Sequence, residues 1–359
     1  MSHSLVFGCM NLGGAWGQER IPAAQYDAAR DAVHAAHRAG YTLFDHADIY
    51  IGGDSETVFG RIIGEDAVLR QAVQVQTKCG IRLPGNTAPA GAPAHYRLDR
   101  DAVRSSLEGS LQRLGVDRVE RLFLHRPDPL TPPEETAAAL DELHQEGLIG
   151  SVGLSNMTTE HVVELRRHLR APVTAVQMQL SLAHRDLVEA QVLANHPDGA
   201  AVSFPRGLPE LCAAKGIEIQ AWGALAGGVY SGATPPRVPA SAHGPLDQGE
   251  AAGGRDRTAA DAAGEPDRAA SSAGAGGLPN TPEERTSALV ARLAERLEVP
   301  AEAVVVGWLL RLPHGIRPVV GTLNPRRIAA CAQAPRAAQL MTHEDWYALW
   351  TAARGRPLP

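Results

Sequence analysis

Eight short apolar segments recur along this chain, at positions 5–10, 41–45, 72–78, 119–125, 149–154, 173–178, 217–222 and 316–320. Between them run stretches of helical periodicity such as "AAQYDAARDAVHAAHRAG", "DRDAVRSSLEGSLQRLG", "PEETAAALDELHQEG" and "TTEHVVELRRHLR". Three of these close on a glycine, Gly40, Gly115 and Gly147, as helix C-termini commonly do. Strands that alternate with helices pair in parallel through right-handed crossovers. Eight such units favour closure into a (β/α)8 barrel of the TIM-barrel type. A doubly wound open sheet is the alternative, but no G-x-G-x-x-G opens the first helix.

The length of 359 residues with 44% hydrophobic content suits one large core, and we read 1–359 as a single barrel domain. One segment breaks the rhythm. From 231 to 282 the chain is nearly all Ala, Gly, Pro, Ser, Thr, Asp and Arg, with Val238, Leu246 and Leu278 as its larger aliphatics. Such a stretch buries too little apolar surface to offset its ordering entropy, so it reads as a disordered insertion after the seventh strand. The net charge of -6, with no basic run, argues against a nucleic-acid partner. The four cysteines, Cys9, Cys79, Cys212 and Cys331, lie far apart and suggest neither a disulfide framework nor a structural zinc site. With no signal-peptide pattern and no apolar run of membrane-spanning length, the expectation is a soluble cytoplasmic protein. Its oligomeric state is not legible.

The ends of the strands carry the chemistry. Asp45 ends "YTLFD", Tyr50 follows in "HADIYIGGDSE", Lys78 ends "AVQVQTK" and His125 ends "VERLFLH". In a parallel barrel these ends converge on one mouth, where active sites are built. An ammonium at Lys78 favours the phenolate of Tyr50 and so makes it a better acid. Asp45 would orient Lys78 and keep it charged, and His125 would bond the same substrate oxygen. Together they would polarise a carbonyl oxygen and protonate it. Such a site needs a hydride, which no side chain supplies and a nicotinamide cofactor does. Trp16, in "NLGGAWGQ", is expected to overhang the mouth from the first loop and touch substrate. After the eighth strand, "PVVGTLNPRRIAA" places Asn324 as an N-cap and Pro325 at the first helical position. Gly321 permits close approach there, and Arg326 and Arg327 suit a phosphate monoester.

These segments resemble the aldo-keto reductases, most closely a bacterial branch of oxidoreductases. "FDHADIYIGGDSE" is similar to the family's Asp and Tyr segment, "QTKCGI" to its lysine strand, "LFLHRPDP" to its histidine strand and "GSVGLSN" to its fifth-strand motif. The resemblance implies an NADP-dependent reductase of aldehydes or ketones, with NAD the less favoured cofactor and a small carbonyl compound as substrate. It implies Tyr50 as general acid with Asp45, Lys78 and His125, and Ser155, Asn156 and Gln177 around the nicotinamide carboxamide. Trp222 would stack on the nicotinamide ring, and Gly223, Leu225 and Gly227 belong to the stretch along the pyrophosphate. Gly8 and Met10 line the cofactor from the first strand. Gly321, Thr322, Asn324 and Arg327 match the adenosine-phosphate site. The chain departs from the family at Gly321, where many members carry Lys, and at Cys331, near which many carry Asn or Glu. Gln179 replaces a frequent Glu, and the N-terminus is short for the family's hairpin across the barrel floor.

Two other functions share this pattern. A cofactor-binding regulatory or scaffold protein can use the same barrel. A metal-dependent hydrolase would use Asp45, His46 and Asp48, although alternation along a strand sends Asp45 and His46 to opposite faces.

Overall fold

The computed structural model describes residues 5–18, 20–232 and 281–359. The 231–282 segment, expected to be a disordered insertion, lies outside the described residues except at its ends.

All eight expected strands form, with ends shifted by a residue or two. They are β1 Val6–Gly8, β2 Leu43–Asp45, β3 Gln74–Cys79, β4 Val119–Leu124, β5 Ile149–Ser155, β6 Val173–Gln179, β7 Glu218–Trp222 and β8 Ile316–Val320. Each pairs in parallel with its neighbours in chain order, and β8 closes on β1 through Val6↔Val319 and Phe7↔Val320. Closure removes the sheet edges and rules out the open doubly wound alternative.

The four helical stretches become Ala23–Arg38, Arg100–Leu114, Pro133–Gln145 and Thr159–His168. Asp99 caps one by accepting from the Ala102 N–H, and Thr158 caps another through a reciprocal box with His161. Gly40, Gly115 and Gly147 all adopt positive φ as these helices end. The two-stranded sheet among the described residues, Ile81–Arg82 with His95–Tyr96, sits in the loop after β3.

Side-chain alternation sorts the barrel into two layers. Phe7, Phe44 and Phe59 pack between strands and helices, with ring centroids 5.5 and 5.1 Å apart along the series. Inside, Val6, Leu43 and Val319 form a small apolar plug, but much of the remaining interior is polar. Arg121, Gln76, Gln177, Glu218 and Gln220 are joined there by hydrogen bonds and an ion pair. Gly153 is required at its position because a Cβ there would lie 2.4 Å from the Phe123 ring.

Candidate active site

Lys78 is fully buried, and its ammonium uses all three of its donors. They reach Asp45 Oδ2 at 2.6 Å, the His46 carbonyl at 2.8 Å and the Tyr50 hydroxyl at 3.1 Å. An ammonium has no lone pair, so the Tyr50 oxygen accepts this bond. The phenolic hydrogen is thereby left to be donated elsewhere, into the barrel mouth. The Tyr50 ring stands edge-on to His125, centroids 6.1 Å apart. Four side chains from the ends of three strands are thus assembled in one place.

Asp45 is held from below by amides. Its Oδ1 accepts from Gln76 Nε2 at 2.6 Å and Gln177 Nε2 at 3.1 Å, and both amides also donate to Gln220 Oε1. Arg121 in turn donates to Gln76 Oε1 at 3.0 Å. The carboxylate therefore keeps one position, with two amides on one oxygen and the ammonium on the other. Gln76 and Gln220 were missed in the sequence. The signal for them is spacing, since Gln76 stands two residues before Lys78 and Gln220 two before Trp222, on the same inward face.

Tyr50 is positioned by a tight turn and two helices behind it. Its segment Tyr50–Gly53 is a 3-10 turn in which Ile51 takes φ 50° and Gly53 φ 98°. A buried β-branched residue at positive φ is strained backbone beside the Tyr50 phenol. Behind the turn, Glu56 accepts from Thr77 Oγ1 at 2.5 Å and from Arg113 Nε at 2.9 Å, which ties helix Asp54–Glu65 to β3 and to helix Arg100–Leu114. Ser55 donates to the Met10 carbonyl and accepts from the Gly13 N–H, so the first loop is fixed to the same helix. Gly13 permits this approach, since a Cβ there would lie 2.6 Å from the Ser55 nitrogen.

The electrostatics correct one expectation. Burial raises the Tyr50 pKa, and the lowering effect of Lys78 only partly opposes it, so the net shift is upward and the phenol stays protonated. Burial works against the Lys78 ammonium as well, but Asp45 and Tyr50 more than compensate and its pKa rises. His125 is pushed down by burial and by Lys78, leaving a neutral imidazole. His46 and Asp48 face away from this cluster. The His46 ring packs on Phe59 of the outer layer at 4.7 Å, and burial lowers its pKa to about 3. Asp45, His46 and Asp48 do not face a common point.

The residues assigned to the nicotinamide lie together. Asn156, at φ 55°, donates to Ser155 Oγ at 2.9 Å and accepts from Trp222 Nε1 at 3.0 Å. Gln177 spends both amide hydrogens on the interior network, which leaves its Oε1 to serve a ligand. Gly8 is half-buried and Met10 exposed at the end of β1. Gly223 and Gly227 adopt positive φ and are exposed, with Leu225 half-buried between them. Thr322 Oγ1 accepts from the Asn324 N–H, and Asn324 Oδ1 accepts from the N–H groups of Arg326 and Arg327. A Cβ at Gly321 would lie 3.3 Å from the Gly8 carbonyl, so these strand ends pack closely. Arg327 reaches Ser231 at 2.8 Å and pairs with Glu302 at 3.1 Å. Trp16 is half-buried against the apolar cluster of Ala47, Ile49, Ile81 and Leu83, which Tyr50 also joins.

A buried lysine–carboxylate–phenol cluster at the carboxyl-terminal mouth of a closed parallel barrel can hold and release a proton, which suits an oxidoreductase built on a barrel. The model of the aldo/keto reductase family matches residues 4–349, and the chain belongs to that family. It is an NAD(P)H-dependent reductase. Among curated proteins it is similar to a 6-dehydroglucose reductase of Agrobacterium fabrum, 29% identical over 90% of this chain and 87% of that one. It is likewise similar to the oxidoreductase YcsN of Bacillus subtilis, 30% identical over 89% of this chain and 86% of that one. A solved glycerol dehydrogenase from Gluconobacter oxydans shares the fold with a TM-score of 0.68 at 21% identity, over 99% of this chain and 94% of that one. No helix among the described residues is long and apolar enough to cross a membrane.

Proposed function

We propose that this protein reduces the carbonyl group of an aldehyde or ketone to an alcohol with NADPH, and that Tyr50 is the general acid. The observation that carries this reading is the Lys78 ammonium 3.1 Å from the Tyr50 hydroxyl, donating to it while Asp45 holds the ammonium at 2.6 Å. The donor set fits a nicotinamide: Ser155, Asn156 and Gln177 supply hydroxyl and amide groups for a carboxamide, and Trp222 supplies a flat face beside them. When bound, the cofactor supplies the hydride.

The protein supplies the rest. Tyr50 and the neutral His125 present hydrogen bonds to the substrate oxygen and fix the carbonyl at the mouth. As negative charge grows on that oxygen, Tyr50 passes its proton to it. Lys78, already bonded to the phenol oxygen, stabilises the tyrosinate that forms, and Asp45 keeps Lys78 charged in a site where burial opposes charge. Solvent reaching the mouth returns the proton. Arg326 and Arg327 carry the positive charge that favours NADPH over NADH. Trp16, which packs against the same apolar cluster as Tyr50, would form one wall for substrate.

A panel of aldehydes and ketones, followed by loss of NADPH absorbance, tests the activity. Tyr50→Phe should keep NADPH binding and lower the reduction rate by at least ~10²-fold, the usual contribution of a general acid. Turnover in Tyr50→Phe equal to that of the parent would remove Tyr50 from this role.

A further inference from the structure

Arg327 is not a free cation. Its Nε lies 3.1 Å from Glu302 Oε1, and its Nη2 donates to Ser231 Oγ at 2.8 Å. Glu302 opens the helix Ala301–Leu310, which precedes β8, whereas Arg327 stands on the helix Pro325–Cys331 that follows it. Ser231 ends the 3-10 segment Ala226–Ser231 after β7. The two charged side chains are largely buried, 14% exposed for Glu302 and 22% for Arg327. The pair therefore sits at the junction of the loops that follow the seventh and eighth strands, where barrels of this type hold phosphate. The buried Cys331 thiol beside it, pushed up to about 12 chiefly by burial, feels Glu302 and Arg327 with opposite signs.

A guanidinium recognises a phosphate monoester through two parallel N–H groups and its full charge. Here Nη2 is already bonded to Ser231, Nε lies against Glu302 without a hydrogen bond to it, and that carboxylate cancels the charge at contact distance. A phosphate carrying close to two negative charges would approach Glu302 as well as Arg327. NADH lacks that phosphate and meets none of this repulsion.

We propose that Glu302 sets the cofactor selectivity of this enzyme by neutralising Arg327, so that the preference for NADPH over NADH is smaller than the two arginines would otherwise confer. The proposal rests on the reading that Arg327 faces the adenosine phosphate. Glu302 acts through Arg327 and is a positioning residue, not a catalytic one.

The test is equilibrium binding of NADPH and NADH to the full chain, read by quenching of tryptophan fluorescence, in the parent protein, Glu302→Gln, Arg327→Gln and the double variant. Gln keeps the shape of Glu and can still accept from Arg327 through its amide oxygen, so melting temperature should change little. Glu302→Gln should tighten NADPH by roughly tenfold, while NADH shifts by less than about twofold, because only the former carries the extra charge. In the Arg327→Gln background the same change should alter the NADPH-to-NADH ratio far less, which shows that Glu302 works through Arg327. An unchanged ratio in Glu302→Gln, or weaker NADPH binding, would overturn the proposal and leave the reductase reading intact. A parent protein that binds neither nucleotide would overturn both.

Discussion

At the scale of single residues, the site is governed by how many partners each buried charge has. Lys78 has three, Asp45 has one cation and two amides, and no donor between them is idle. Removing the cation from such a set is worse than never having had the pair, because the carboxylate is left buried and uncompensated. Lys78→Met should therefore lower the reduction rate at least as much as Tyr50→Phe and also destabilise the fold by about 3–5 kcal/mol. Urea unfolding at neutral pH checks the second part; parent-like stability would mean that the buried Asp45 carboxyl group loses its cation at no cost to the fold. Arg327→Ala should weaken NADPH more than NADH, and equal losses in a binding titration would show that this guanidinium does not read the extra phosphate.

At the scale of elements, most of the architecture was legible before any coordinates. Alternating apolar runs, helical periodicity and glycine stops placed all eight strands and the four clearest helices, because each signal is local. The motifs at the strand ends were legible for the same reason. What stayed hidden were partners contributed by distant strands. Gln76 and Gln220 look like ordinary polar residues until closure brings them 2.7 Å apart, and Glu302 reads as a routine first-turn acid until β8 returns the chain to it. The phenol's electrostatics were misjudged because burial, which raises its pKa, is not written in the spacing of Lys78 and Tyr50. The Phe123–Gly153 contact is a further long-range requirement. Gly153→Ala should cost about 1–3 kcal/mol by overpacking the interior. Phe123→Leu in the same chain should recover part of it, and a thermal melt in which Gly153→Ala matches the parent would show that the ring moves aside freely.

At the scale of the whole molecule, stability should depend on pH through groups that lie outside the reaction. Asp48 is buried behind the mouth, with the equally buried Ser106 hydroxyl as its hydrogen-bonding neighbour. Burial first, and the nearby Glu56 carboxylate second, raise its pKa from 3.8 to about 7, with Arg82, the Ser106 hydroxyl and Arg113 opposing. The native state thus holds a proton that the unfolded chain has already lost across that interval. Stability from this group is complete below the unfolded value, falls as pH rises, and is gone above about 7. The ceiling for the change is roughly 4 kcal/mol. His46 works in the opposite sense. Its pKa is lowered to about 3, so its contribution is present above the ordinary histidine value of 6.5 and is lost as pH falls. The two trends overlap and partly cancel in the parent protein, so its own pH profile is a poor guide. The difference between the parent and Asp48→Asn isolates one of them, because the amide never ionises and His46 is common to both. Urea midpoints measured from pH 5 to pH 8 should show the variant gaining on the parent steadily as pH rises, with the gap widest at the alkaline end. Parallel curves would mean that Asp48 is ionised throughout, held by Arg82 and Arg113 despite its burial.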